Sequence, residues 1–296
     1  MRVQRWLAHG VLGLLQLLQH LPLGVQAAMG RALGGLLHAL AGSRRRVALR
    51  NVELCLPELD EPARRALVRE HFRWLGRSLL ERGLLWHASP ERLKRLIHVE
   101  GDVGLADRSD KPVMWLVPHF VALDVAGAST QLFQNSQVAS IYQAQSNPVF
   151  DAAMRSGRLR FGQGQVFSRH ETALPLVRAI KRGHAFFNLP DMDFGTRDAA
   201  FVPFFGVSAA TLLAPARMAR SLGMVVQPVL AEMLPGGRGY RVRYLPPWDD
   251  FPGADDEAAA RRMNQWIETE IRRNPAQYLW VHRRFKSRPE GEASLY

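Results

Sequence analysis

PVMWLVPHFVALDVAG, residues 112–127, sets five apolar residues, Val113 to Val117, directly before a proline and a histidine. A short continuous apolar run bounded by a turn signal reads as a strand buried on both faces, as the strands of a parallel sheet are. The strand is expected to stop at Pro118, with His119 in the turn, a helix starting around Ala122 and Asp124 in its first turn. On one continuous helix, residues five apart point about 140° away from each other. Across a strand-to-helix turn, Asp124 can instead reach back to the imidazole. A carboxylate on one ring nitrogen fixes the tautomer and leaves the other basic, which suits a general base that activates a hydroxyl. The plainer alternative is a histidine that ends a strand and an aspartate that caps a helix.

Downstream, segments alternate in period. Residues 113–117, 138–142, 185–189, 224–230 and 240–245 are rich in β-branched and aromatic residues and read as strands. LDVAGASTQLF, PVFDAAMRSGRLRF, TALPLVRAIKRG and TLLAPARMARSLG read as the helices between them. This alternation predicts an α/β domain with a mostly parallel mixed sheet flanked by helices. Upstream, LDEPARRALVREHFRWLGRSLLERGLLW predicts a helix with Pro62 in its first turn and an apolar stripe of Val68, Phe72, Leu75 and Leu79. A late helix carries Met263, Trp266, Ile267 and Ile271 on one face.

The N-terminus differs from the rest. No residue from Trp6 to Met29 is charged, Arg2 and Arg5 precede the run, Arg31 and Arg44–Arg46 follow it, and no acid occurs before Glu53. His9, Gln16 and His20 interrupt the run on one helical face, and Pro22 with Gly24 should break it. Two helices over 3–20 and 25–41 are expected to dip into or lie on a membrane. Residues 1–45 are thus expected to form membrane-anchor helices, and 46–296 the acting domain. A cleaved signal peptide ending near Ala27 and a soluble core hairpin are the competing readings.

The formal net charge of +12 points to a polyanionic partner: nucleic acid, an anionic membrane face or a phosphorylated substrate. No nucleic-acid motif accompanies it, so no nucleic-acid partner is expected. The single cysteine, Cys55, sits in an apolar run and reads as a buried, inert thiol. Neither a metalloprotease-type His-Glu-x-x-His nor a Gly-x-Ser-x-Gly elbow is present, so neither metal nor serine hydrolase chemistry is expected. A second polar cluster, Asp191, Asp193 and Gly195, follows the strand at 185–189, where it can share a sheet edge with His119. Phe201, Phe204 and Phe205 around Pro203 read either as a core-packing loop or as an apolar wall for an acyl chain, and Arg158 with Arg160 suits a phosphate, a solvated basic face being the plainer account of either arginine alone.

These blocks occur in a specific order. RRRVALRNVELCLPEL (44–59), Glu81, PHFVALD (118–124), NPVFD and GRLRFG (147–162), LPDMDFG (189–195), FVPFFG (201–206) and PAQYLWVHRRFK (275–286) together resemble the bacterial lipid A biosynthesis acyltransferases. This lauroyl/myristoyl family lies within the lysophospholipid acyltransferase-like group. The resemblance implies a glycerolipid acyltransferase-like fold and a cytoplasmic-face inner-membrane enzyme. It implies acyl carrier protein as donor and a hydroxyl of a Kdo-bearing, phosphorylated lipid A precursor as acceptor, with no cofactor. It implies His119 and Asp124 as the catalytic pair, with Arg158 or Arg160, Asp191, Asp193, Gly195, Pro203 and Phe204 at the substrates. The same chemistry on a lysophospholipid, ornithine lipid or other glycolipid is the alternative. One departure is Gln143, where many members carry Arg after the Tyr.

Overall fold

The computed structural model describes residues 2–162, 164–169 and 173–296, with side chains from Trp6 onward. The chain opens with helices α1 (Arg2–Leu18), α2 (Leu23–Leu40), α3 (Gly42–Cys55), α4 (Glu61–Leu80), α5 (Arg82–His87) and α6 (Pro90–Leu96). Strand β1 (Ile97–Gly101), α7 (Leu105–Arg108) and β2 (Val113–Leu116) follow. The alternating region then holds α8 (Leu123–Leu132), β3 (Val138–Tyr142), α9 (Pro148–Arg158), β4 (Gln165–Ser168), α10 (Leu174–Lys181) and β5 (Ala185–Asn188). A hairpin of β6 (Ala199–Phe204) and β7 (Val207–Leu212) comes next. It leads to α11 (Ala214–Leu222), β8 (Val225–Met233), β9 (Tyr240–Tyr244) and α12 (Asp256–Arg273).

Seven strands form one sheet in the order β1-β9-β8-β2-β5-β3-β4. Every pairing is parallel except β8 with β9. The α/β sheet expected from the alternating pattern is therefore present. β2 lies at its centre, and its side chains alternate between two cores. Val113 and Trp115 pack into one cluster, while Met114 and Leu116 pack into the other. FVPFFG, read as a core-packing loop or an acyl wall, closes the separate antiparallel β6–β7 hairpin.

The N-terminal helices form where the broken apolar run predicts them. Among the described residues, no helix is long and apolar enough to cross a membrane. The side chains of Arg2 and Arg5 lie outside the described part. α2 lies along α4 at very short range. A Cβ at Gly34 would sit 2.1 Å from the Phe72 carbonyl oxygen, and one at Gly76 would sit 2.3 Å from that of Gly30. Only glycine allows two helix backbones this close. This contact explains why α4 departs from its expected single stripe. Val68 and Phe72 are buried as expected, but so are His71, Trp74, Gly76 and Arg77, because α4 has neighbours on more than one side. On α12, Met263, Ile267 and Ile271 are buried and Trp266 is partly exposed.

Two buried polar devices brace this frame. Arg77 and Glu81 form an ion pair at 2.6 Å with almost no exposure. Arg77 also donates to the Leu234 carbonyl, and the Tyr240 hydroxyl donates to Glu81, so every charged group is matched. His71 is fully buried, with Nδ1 3.2 Å from the Ala276 carbonyl oxygen, to which it donates. Burial pushes the pKa of His71 down to about 4. An unfolded histidine titrates near 6.5, so the unfolded chain binds a proton that the native one refuses. Stability contributed by neutral His71 is therefore complete above about pH 6.5 and lost as the pH falls toward 4, by roughly 3 kcal/mol at 1.4 kcal/mol per pH unit. Urea unfolding in detergent between pH 4 and 7 should show a shallower pH slope for His71→Asn than for wild type. Equal slopes would mean that the ring is not held neutral.

Candidate active site

The C-terminal end of β2 delivers Pro118 and His119 to the sheet edge, and the chain then turns into α8. Residues 275–287 hold that turn in place. The Val121 N–H donates to the Gln277 carbonyl, the Leu279 N–H donates to the His119 carbonyl, and Phe120 bridges to Tyr278. Since β5 is the parallel neighbour of β2, its C-terminal loop arrives beside the same turn. That loop carries Asp191, which is 1% exposed. His119 Nδ1 is 2.7 Å from Asp191 Oδ1, and the His119 backbone N–H donates to Oδ2 at 2.9 Å. Burial works to raise the Asp191 pKa. The charge and hydrogen bonds of His119, with the nearby Arg284 guanidinium, outweigh it and hold the carboxyl below its usual value. Asp191 is therefore ionised near neutral pH and Nδ1 carries the proton. Nε2 is left as the basic nitrogen, with no hydrogen-bond partner among the described residues.

This differs from the expected pairing. Asp124 does stand in the first turn of α8, but its carboxylate is engaged elsewhere. Arg158, at the end of α9, contacts Oδ1 through Nε and Nη2 at 2.8 Å each, and Arg82 Nε lies 3.4 Å from Oδ2. Burial raises the Asp124 pKa, but Arg158, Arg82 and His119 bring it below the ordinary value. The physical reason is occupancy. Nδ1 accommodates one carboxylate, Asp191 has it, and two guanidinium groups hold Asp124 at the junction of α5, α8 and α9.

Other expected substrate residues are placed in structural roles. Arg160 does not pair with Arg158. It donates to the carbonyls of Leu85 and Ala88, closing the end of α5, and stacks on Phe161. Asp193 accepts from the Gly195 N–H, and from the Ser287 N–H and hydroxyl, so both of its oxygens tie the loop to the C-terminal segment. Gly195 has a φ of +101°, a turn conformation that side chains resist. Pro203 is exposed and offers its carbonyl to Asn264. Phe204 is fully buried against Phe205, Tyr278 and Phe285, under the Arg284 guanidinium, and lines no acyl wall.

Three further groups shape the site. The His282 ring accepts from the Asp193 N–H through Nε2 at 3.1 Å, and burial with the charge of nearby His119 pushes its pKa to about 4. It is neutral at physiological pH. Arg82 and Arg284 supply fixed positive charge. His282 and Arg284 lie in the ordered C-terminal block already visible in the sequence. Arg82 had no sequence signal beyond its place at a helix end.

A narrow apolar slot opens next to the His119 turn. Leu123, Asp124 and Leu189 line its near end, with Trp86, Phe187 and Arg158 among the other walls. The residues thus assemble an oriented imidazole base, a pair of arginines and an apolar slot. That combination suits transfer of an acyl group with a long aliphatic tail.

A sequence profile described as "Bacterial lipid A biosynthesis acyltransferase" matches residues 2–287. The chain belongs to the bacterial lipid A biosynthesis acyltransferase family. It is 34% identical over 294 residues to the lipid A biosynthesis lauroyltransferase of Escherichia coli K12, covering 98% of this chain and 95% of that protein. It is 33% identical to the palmitoleoyltransferase of the same organism, at 98% and 94% coverage. It is also 33% identical to the myristoyltransferase, at 92% and 83%. This acyltransferase is thus similar to relatives named for acyl groups of different length, which makes the slot the place to look for selectivity.

Proposed function

We propose that this acyltransferase moves a fatty acyl group, lauroyl or myristoyl, from acyl carrier protein to a hydroxyl of a Kdo-bearing, phosphorylated lipid A precursor. The observation that carries this reading is the His119–Asp191 pair, set in the turn that leads into the slot-lining helix α8. Nε2 takes the proton of the acceptor hydroxyl as its oxygen attacks the thioester carbon. Asp191 stabilises the imidazolium that forms. The tetrahedral oxyanion is stabilised by positive charge from Arg158 and Arg82, positioned by Asp124. When the C–S bond breaks, the imidazolium returns its proton to the leaving thiolate, and ester and free thiol result. The basic surface favours two acidic partners, the phosphorylated acceptor and the carrier protein.

The same proposal has the reaction at the cytoplasmic face of the inner membrane, with α1 and α2 lying in the interface. Nine of the twelve large apolar side chains that stand exposed among the described residues lie on these two helices. The test is acyl transfer by purified wild type from carrier-protein thioesters, offered the Kdo-bearing precursor, a lysophospholipid and an ornithine lipid in competition. At least a hundredfold preference for the precursor is expected. Preference for another lipid would move the assignment to that acceptor.

A further inference from the structure

Helix α8 runs away from the catalytic turn along the slot. Asp124, Gly127, Ala128 and Gln131 all line it, at helical spacings of three, four and seven. Asp124 marks the near end and Gln131 the far end, about 10 Å further on at 1.5 Å per residue. Behind Gln131 lies a second cavity lined by Gln134, Asn135 and Gln137. Gln131, Val138 and Gly164 belong to both linings, so they form the partition between them. Val138 is a strand residue, and Gly164 has no side chain. Gln131 is the long side chain of the three, and it is tied across the end of the slot. Its Nε2 donates to the carbonyls of Gly127 at 2.9 Å and Arg158 at 2.7 Å.

We infer that the Gln131 side chain is the floor that sets the length of acyl chain this enzyme accepts, an inference that rests on the reading of the slot as the acyl site. The lining changes character at this point. On the near side the lining is mostly apolar, with Leu123, Trp86, Phe187 and Leu189 among its walls, where each buried methylene contributes about 0.8 kcal/mol. On the far side they are mostly polar, with Gln134, Asn135, Ser136 and Gln137 beside Phe161, and offer an aliphatic end less apolar surface. Carbon–carbon bonds of about 1.5 Å at about 111° advance an extended chain by about 1.25 Å per methylene. The span from Asp124 to Gln131 therefore holds roughly eight methylenes at the helix rise of 1.5 Å per residue. The second cavity, of about 390 Å³, lies directly beyond the floor.

The test is a chain-length series of carrier-protein thioesters on one acceptor. Wild type, Gln131→Ala and Ala128→Leu would be scored by ratios of rates between lengths, which do not depend on the amount of folded enzyme. Gln131→Ala should raise the ratio of longer chains to the wild-type optimum at least tenfold, the scale of one or two misplaced methylenes. Ala128→Leu, one turn nearer the turn on the same face, should move the optimum to shorter chains by a similar factor. If Ala128→Leu does not fold, Gln131→Ala decides alone. Transfer with unchanged ratios in Gln131→Ala would overturn the floor and leave the acyltransferase reading intact. Absence of transfer by wild type at every length would overturn that reading, and the floor with it.

Discussion

Replacing Asp191 by Asn is expected to lower kcat by on the order of 10³- to 10⁴-fold with little change in KM, close to the loss from His119→Ala. Both oxygens of Asp191 are in use. One faces Nδ1 at 2.7 Å and the other accepts the His119 backbone N–H at 2.9 Å. An amide has a single acceptor. If its oxygen keeps the backbone N–H, its NH₂ faces Nδ1, which must then accept. The ring proton moves to Nε2, and the base is lost although the geometry is kept. The double variant His119→Ala, Asp191→Asn should be no slower than His119→Ala alone, since the carboxylate acts through the ring. Asp124→Asn is expected to act differently. It frees Arg158 and Arg82 and should raise KM along with a smaller loss in kcat, about 10- to 100-fold. Single-turnover rates and KM for the four variants, with melting curves to establish folding, check this. A large kcat loss in Asp124→Asn beside a near wild-type Asp191→Asn would return the orienting role to Asp124.

The contrast between the two aspartates shows what the sequence could convey. His119 is legible because a buried strand ends directly before it, and the strand lies at the sheet centre as its unbroken apolar run requires. Its partner is not legible. Asp124 is near in sequence, whereas Asp191 becomes near only because β5 pairs beside β2, and strand order is not written in any local pattern. The same holds for Arg158 and Arg160. Two positions apart on paper, they face different elements once α9 ends between them, one towards Asp124 and the other towards the end of α5. Short edge strands were also hidden. β4, with four residues, and β1, with a charged and a histidine side chain outward, carry too little apolar pattern to read as strands. Phe204 misled because an aromatic cluster marks a core as readily as a ligand wall, and only burial separates them.

Changing Trp6, Leu14 and Leu17 together to Glu is expected to reduce binding to anionic vesicles by roughly 10³-fold, at about 1.5 kcal/mol for each apolar side chain withdrawn from the bilayer. The three side chains are 77%, 54% and 70% exposed. The fold does not use them, so the melting temperature should stay near that of wild type. The other side of α1 is fixed to the body of the protein. A Cβ at Gly83 would lie 2.1 Å from the Leu15 carbonyl oxygen, and Arg92 donates to the Leu21 carbonyl at 2.9 Å. A helix of 17 residues, about 25 Å long and held to the body near its C-terminal end, falls short of a bilayer core of about 30 Å. The proposed placement is therefore in the interface, with its apolar face toward the acyl chains. The same helix packs on α5 and α9, which supply Trp86 and Arg158 to the slot. Activity should follow accordingly. The triple variant should keep its rate on acceptor dispersed in detergent and lose it on acceptor embedded in vesicles. Binding of wild type should persist in 1 M salt, where attachment through charge alone would be screened to about 3 Å. Retention of the triple variant on vesicles, or release of wild type by salt, would show that some other surface holds the enzyme to the membrane.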